Sequence, residues 1–91
     1  MDETAILDHL EALAHTLGVE IRYERLEGET GSASGGLCRI RGKQVIIVNS
    51  EVRTGLKVRT LAKALRRFDL SREYLRPALR DLLEEAGEKN K

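Results

Sequence analysis

The apolar run Val45-Ile46-Ile47-Val48 constrains the fold more than any other feature of the sequence. All four residues favour strands, and alternate residues of a strand point to opposite faces of a sheet, so both faces of this strand are apolar. Strands of this kind lie inside a sheet or against helices, so we expect a central strand with a covering layer. The run is far shorter than the ~20 apolar residues that a membrane span requires, and we expect no membrane partner.

Helical and strand periodicities alternate along the 91-residue chain. Apolar residues three and four positions apart predict a helix over residues 3–17, and Gly18 follows where a left-handed cap is expected. Alternation over residues 19–23 predicts a half-buried strand. Residues 37–40 and 44–48 predict a hairpin that turns at Arg41-Gly42-Lys43.

The C-terminal half is predicted to be helical. A second helix is expected from about Glu51 or Gly55 to Phe68, and a third from Pro77, which suits a first helical position, to Ala86. The resulting order α-β-β-β-α-α predicts an α+β two-layer sandwich, with a three-stranded, mainly antiparallel sheet covered by helices.

The predicted domain extends over residues 1–87, because a chain of this length supports one hydrophobic core. Residues 88–91 are predicted to be a frayed tail, and residues 27–36, rich in Gly and Ser, a flexible loop. In the core we expect contacts among one residue of the first helix, one of the sheet and two of the second helix: Leu13, Ile47, Leu61 and Leu65. A basic segment followed by an apolar stretch is missing after Met1, so we expect a cytoplasmic protein without a secretory signal.

Residues able to support catalysis or bind a metal are few. His9 and His15 lie six positions apart on the first helix and project in different directions, so they cannot share a metal ion. Cys38 is the single cysteine, which excludes an internal disulfide and a paired-cysteine zinc site. We therefore expect no cofactor and no metal, although a thiol or small-molecule site around Cys38 stays open as an alternative.

Positive charge is concentrated in the middle of the chain. The formal net charge is only +1, yet residues 39–67 contain nine Lys and Arg residues against one acidic residue, Glu51. Clustered charges of one sign raise the local potential even when a molecule is nearly neutral overall. The charges could equally form a solvated face that keeps a small domain soluble. The candidate partner-binding residues are Arg39, Arg41, Lys43, Arg59, Lys63, Arg66 and Arg67.

One part of the chain resembles a known family. The pattern Gly-Leu-x-x-x-x-Gly-x-x-x-Ile-x-Val-Asn over residues 36–49, followed by Thr-Leu-Ala-Lys-Ala-Leu-Arg-Arg over residues 60–67, resembles the ImmA/IrrE-type zinc peptidases. The resemblance covers about residues 17–68 and implies a helix, a strand and a hairpin that precede a metal-binding helix.

The residues that carry the family's chemistry are missing. Lys63 and Arg67 occupy the positions of the two zinc-binding histidines, and Ala64 occupies that of the glutamate base. Cationic side chains repel Zn²⁺, and alanine cannot accept a proton. The resemblance therefore implies a non-catalytic relative of the peptidase scaffold.

These features predict a non-catalytic adaptor or regulatory module. Its partner would be an anionic macromolecule, an acidic protein surface rather than nucleic acid, because the overall charge is low and aromatic residues make up only 3% of the chain. A small self-associating structural subunit, possible as a homodimer, is the alternative, since small domains often gain stability from a partner.

Overall fold

The computed structural model describes residues 2–26 and 35–88. They form three helices and three strands in the predicted order, and the α+β fold is confirmed. The elements are α1 (Glu3–Thr16), β1 (Glu20–Glu24), β2 (Gly35–Ile40), β3 (Lys43–Asn49), α2 (Thr54–Leu65) and α3 (Pro77–Glu88).

The sheet has the order β1-β3-β2, so β3 is the central strand, as its apolar sequence predicts. β2 pairs with β3 antiparallel, whereas β1 pairs with β3 parallel, with Ile21 opposite Ile46. The sheet is therefore mixed rather than mainly antiparallel. The parallel pairing arises because the hairpin returns β3 to the position between β2 and β1, and β3 runs opposite to β2 but in the same direction as β1.

Short-range features define the two ends of α1 and the turn of the hairpin. The Asp2 carboxylate accepts a hydrogen bond of 2.8 Å from the Ala5 N–H, and Gly18 leaves the helix with a φ of 77°. The hairpin turns on Arg41 and Gly42, both with positive φ (53° and 81°), which matches the right-handed twist of the flanking strands.

The helices cover one face of the sheet. Ile46 and Val48 of β3 are fully buried on that face, against side chains of α1 and α2, while Ile21 and Leu37 pack at its margins. α2 is the central helix, because it contacts α1, α3, β2 and β3. The remaining buried apolar residues of this core are Leu10, Leu13, Ala14, Val19, Val58, Leu61, Ala62, Ala64, Leu65, Leu79 and Leu83.

The predicted core contained one wrong residue. Leu13, Leu61 and Leu65 belong to the core, but Ile47 is not part of it. Ile47 lies on the other face of β3, which no described helix covers, and the neighbouring residue Ile46 takes its place. Alternation along a strand separates the two residues, and the sequence does not show which of two apolar faces receives the helices.

Several element boundaries differ from the predictions. α2 ends at Leu65 instead of Phe68, and two tighter turns follow, with Arg67 N–H bonded to the Ala64 carbonyl. Gly35 and Gly36, predicted as loop, are the first residues of β2, and the rest of the predicted loop, residues 27–34, lies outside the described residues. α3 includes Glu88, and residues 89–91 of the predicted tail also lie outside them.

Candidate anion-binding surface

The seven basic residues selected from the sequence are all exposed. Four of them come from α2 and the turn that follows it, and three come from the hairpin. Arg59 and Lys63 are one helical turn apart on α2, and Arg67 continues the same spacing just beyond the helix end. Arg66 is the C-cap residue of α2.

The fold places α2 against the hairpin that carries Arg41. A short connection, residues 50–53, joins β3 to α2, and a helix that follows a strand this closely and packs on it is expected to return along the sheet. By that path we expect the C-terminal end of α2 at the same end of the sheet as Arg41 in the hairpin turn. α2 also packs on β2, which carries Arg39.

Arg39 and Lys43 lie on opposite faces of the sheet. Arg39 shares the helix-covered face with Leu37, because the two residues are two positions apart on β2. Lys43 shares the other face with Val45. The hydrogen bond and the charge of Arg22 lower the pKa of Glu20, and the charge of Lys43 lowers it further. Hence Arg39 extends the surface of α2, whereas Lys43 faces the helix-free side.

None of the seven basic residues forms an ion pair in the described part of the chain. Within residues 2–26 and 35–88 the one ion pair joins Arg22 Nε to Glu20 Oε2 at 2.7 Å, on β1. The pair raises the pKa of Arg22 and lowers that of Glu20. The Glu20 carboxylate thus neutralises Arg22 on β1, at the edge of the sheet opposite β2. The cations of α2 and the hairpin turn remain available to solvent or a ligand.

Arg41 occupies an unfavourable backbone conformation. Its φ of 53° lies in the left-handed region, where Asn or Gly is favoured and where the Cβ of an arginine costs about 1–2 kcal/mol. The hairpin turn therefore presents a cation at a position where a smaller residue would stabilise the turn more. Positions of this kind occur where a side chain serves binding.

The residues at the peptidase-like positions have separate environments. Lys63 and Arg67 are exposed, whereas Ala64 is 4% exposed and packs within the core. The backbone of α2 thus points the middle position inward and the two cations outward. Cationic side chains at these positions attract an anion rather than a metal ion.

The other candidate residues lie apart from this surface. Cys38 is half-buried on β2 and faces the helix-free side, opposite Val45. Its sequence neighbour Arg39 faces the opposite side. His9 is half-buried and His15 exposed on α1, and no three metal-binding side chains come together among the described residues. None of the described helices has the length and apolar character needed to cross a membrane.

A polar contact that the sequence does not reveal links three elements. The Tyr23 hydroxyl on β1 donates a hydrogen bond to the Glu11 carboxylate on α1, and Lys57 Nζ of α2 lies 5.9 Å from the centre of the tyrosine ring. Partial burial raises the pKa of Tyr23, and the hydrogen bond and negative charge of Glu11 raise it further. The three residues carry no periodic or motif signal, because they meet only in the tertiary structure.

This contact predicts a pH dependence of stability. In the unfolded chain the Tyr23 hydroxyl titrates near its ordinary pKa of 10.0, so above that pH the unfolded state loses a proton that the folded state retains. Its contribution to stability is therefore complete below pH 10.0 and is lost as the pH rises above it. Urea unfolding on both sides of this pH should show a smaller loss of stability for Tyr23→Phe than for the wild type.

Tyr74→Phe is the matched control, because Tyr74 is 86% exposed and makes no comparable contact among the described residues. Its loss of stability at high pH should equal that of the wild type. An equal loss for Tyr23→Phe would contradict the role of the hydroxyl that donates to Glu11.

Comparisons of the chain with protein-family models, with curated proteins and with solved structures find no match. The relation to the ImmA/IrrE-type peptidases therefore stays a hypothesis based on the pattern over residues 36–67.

Proposed function

We propose that this chain is a cytoplasmic, non-catalytic adaptor or regulatory module that binds an acidic protein surface. The observation that carries the proposal is the set of exposed cations on α2, the turn that follows it and the hairpin on which α2 packs, none of them ion-paired in the described residues. An anionic partner would supply the missing charges. For this proposal, the basic surface is defined as Arg39, Arg41, Arg59, Lys63, Arg66 and Arg67.

Stabilisation of the α2 C-terminus accounts for only part of this charge. Cations in the last helical turn interact favourably with the partial negative charge of the exposed carbonyl groups, and Lys63 and Arg66 lie there. Arg59 lies in the middle of α2, outside the last turn, and Arg41 lies on the hairpin, a different element. Their charges are better explained by a ligand that spans both elements.

Two features favour an acidic protein over nucleic acid. The net charge of +1 provides little of the general attraction that draws a protein to a polyanion. The basic surface as defined also contains no aromatic side chain, so bases would find no stacking partner on it. Carboxylates on a protein need only local complementary charge and hydrogen-bond donors, which arginine supplies in a bidentate geometry.

The absence of catalysis is part of the proposal. If the peptidase scaffold is ancestral, the change to Lys63, Ala64 and Arg67 removed the zinc ligands and the general base, and placed two cations on the same helix. A helix that bound a metal ion and a substrate would then have become a surface for anions. The fold supports this interpretation because both cations point to solvent.

Removal of two charges of the basic surface should weaken binding. We expect Lys63→Ala/Arg67→Ala to bind a labelled polyglutamate peptide up to about tenfold more weakly at ~50 mM salt, since each exposed charge contact contributes less than ~1 kcal/mol. Fluorescence anisotropy measures the affinity, with duplex and single-stranded DNA and RNA as parallel probes.

The double variant Arg22→Ala/Arg25→Ala is the matched control, because it removes the same net charge from β1 and the residue that follows it. It should bind the peptide nearly as well as the wild type. Equal affinity of the wild type and the Lys63/Arg67 variant would mean that the cations only solubilise the protein. If nucleic acid binds more tightly than the peptide, and the Lys63/Arg67 variant loses this binding, the basic surface is a binding site for nucleic acid instead.

Self-association is the second candidate function. It is favoured by the helix-free face of the sheet, where Val45 is buried, Ile47, Cys38 and Ile40 are half-buried, and no described helix packs. A second copy could cover this face. Light scattering on the same samples distinguishes the two functions, because a structural subunit would have a native mass that is a multiple of 10.2 kDa.

A further inference from the structure

Tyr74 is the most exposed large apolar side chain of the described residues. It is 86% exposed, and the other exposed aromatic residue, Tyr23, is 40% exposed and hydrogen-bonded to Glu11. Tyr74 lies in the connection between α2 and α3. Exposure of a whole tyrosine ring to water is unfavourable, because the ring could bury a large apolar area.

The connection that carries Tyr74 is held in place by its neighbours. Phe68, Leu70 and Leu75 pack against the core, and the Glu73 N–H bonds to the Leu70 carbonyl at 3.0 Å. The Asp69 carboxylate accepts a hydrogen bond of 3.0 Å from the Ser71 N–H, which lowers its pKa and fixes the first bend. Tyr74 therefore projects from an ordered segment, and little conformational entropy would be lost when a partner covers it.

Arginines surround the exposed ring in sequence. Arg72 and Arg76 lie two positions on either side of Tyr74, and both are exposed. The connection starts at Arg66 and Arg67, which are part of the basic surface, so the two features are continuous along the chain. None of these arginines forms an ion pair within residues 2–26 and 35–88.

We infer that Tyr74 is the apolar anchor of the basic surface, and that the partner is an acidic segment with apolar side chains between its carboxylates. This inference rests on the proposed function and specifies the partner's chemistry. Tyrosine and arginine are the residues that contribute most to protein–protein binding, typically as a buried ring surrounded by charged groups. Arg72 and Arg76 would bind the carboxylates that flank the apolar contact.

A single ring favours a protein partner over a single nucleic acid strand. Strand-binding surfaces stack successive bases on several aromatic side chains along a basic groove. Among the described residues the other exposed aromatic side chain, Tyr23, is already held by the hydrogen bond from its hydroxyl to Glu11. Tyr74 is therefore a single ring and not one of a series. One ring with flanking guanidinium groups matches one apolar side chain with flanking carboxylates.

Two labelled peptides of equal length and equal negative charge test this inference. One alternates glutamate with leucine, and the other alternates glutamate with serine. We expect the wild type to bind the leucine peptide about tenfold more tightly, because truncation of an anchoring tyrosine contact typically costs more than 1 kcal/mol. Tyr74→Ser should bind both peptides equally and with the affinity of the wild type for the serine peptide, whereas Tyr74→Phe should retain the preference.

The same set of proteins separates failure of the inference from failure of the proposed function. Lys63→Ala/Arg67→Ala should weaken binding of both peptides, because it removes charge and not the anchor. Equal binding of both peptides by the wild type, unchanged in Tyr74→Ser, would overturn the anchor and leave the proposed function standing. Failure of the wild type to bind either peptide would overturn the proposed function itself.

Nucleic acid is included as a third probe in this experiment. If Tyr74→Ser weakens the binding of single-stranded DNA and leaves both peptides unaffected, the ring stacks on a base and the inference is overturned. Because Tyr74 is 86% exposed, its replacement should not change the urea midpoint, so a loss of binding cannot result from unfolding.

Discussion

Ile46→Ala is expected to destabilise the protein by about 2–5 kcal/mol, the range for a large buried aliphatic side chain replaced by alanine. Ile46 is fully buried at the centre of the sheet, with Ile21 and Leu37 on the neighbouring strands and the helices above it. Its truncation would leave a cavity between the two layers. The free energy of unfolding, measured by urea titration with circular dichroism, would fall by that amount.

Ile47→Ala is the matched control, because it makes the same chemical change one position along the same strand. Ile47 is half-buried on the helix-free face, so its truncation removes fewer contacts and leaves a gap open to solvent. We expect a loss below that of Ile46→Ala by at least ~1 kcal/mol. A larger loss for Ile47→Ala would mean that the helices cover the opposite face of the sheet.

Gly35→Ala is expected to cost about 2–5 kcal/mol, because strain in the backbone and steric overlap act together. Gly35 has a φ of 113°, a conformation that alanine avoids. A Cβ at this position would lie 1.9 Å from the Ile47 carbonyl oxygen, a backbone atom of the central strand that cannot move freely. The start of β2 would have to separate from β3.

Gly36→Ala supplies the comparison for this change. A Cβ at Gly36 would meet nothing within 4 Å, and the residue has no positive φ. Alanine is favoured over glycine in a strand by roughly 0.5–1 kcal/mol, so this variant should be as stable as the wild type or slightly more stable. Equal destabilisation by the two substitutions would contradict the roles assigned to the positive φ of Gly35 and to the overlap with the Ile47 carbonyl oxygen.

Both stability predictions also concern the basic surface. α2 presents Arg59 and Lys63 because its other side packs on Ile46 and Val48. The hairpin presents Arg41 because β2 is held against β3. A variant that loosens either contact should weaken binding without a change of any charge, so affinity must be compared at matched fractions of folded protein.

Local structure and the charge pattern could be predicted from the amino-acid sequence. Helical periodicity, caps such as Gly18 and the turn at Gly42 depend on contacts within a few residues, so the elements and their order could be predicted from them. The run of residues 45–48 identified the central strand, because a strand that is apolar on both faces is typical of the inside of a sheet. The exposure of the basic residues on α2 followed from their positions beside the apolar stripe.

Which residues come into contact depends on long-range packing and is known from the fold alone. In the fold, β1 pairs parallel with β3, and Ile46 rather than Ile47 faces the helices. The choice of face could not be predicted, because both faces of β3 are apolar and local energies favour neither. The same choice placed Arg39 on the helix side and Lys43 on the opposite side.

The exposure of Tyr74 was also decided by the tertiary structure. In sequence, Leu70, Tyr74 and Leu75 are all candidates for burial, but only the two leucines reach the core. The path of the connection between α2 and α3 decides which side chains turn inward, and it is set by the packing of α3 on α2. Such long-range contacts are not encoded in local periodicity, because they depend on how whole elements fit together.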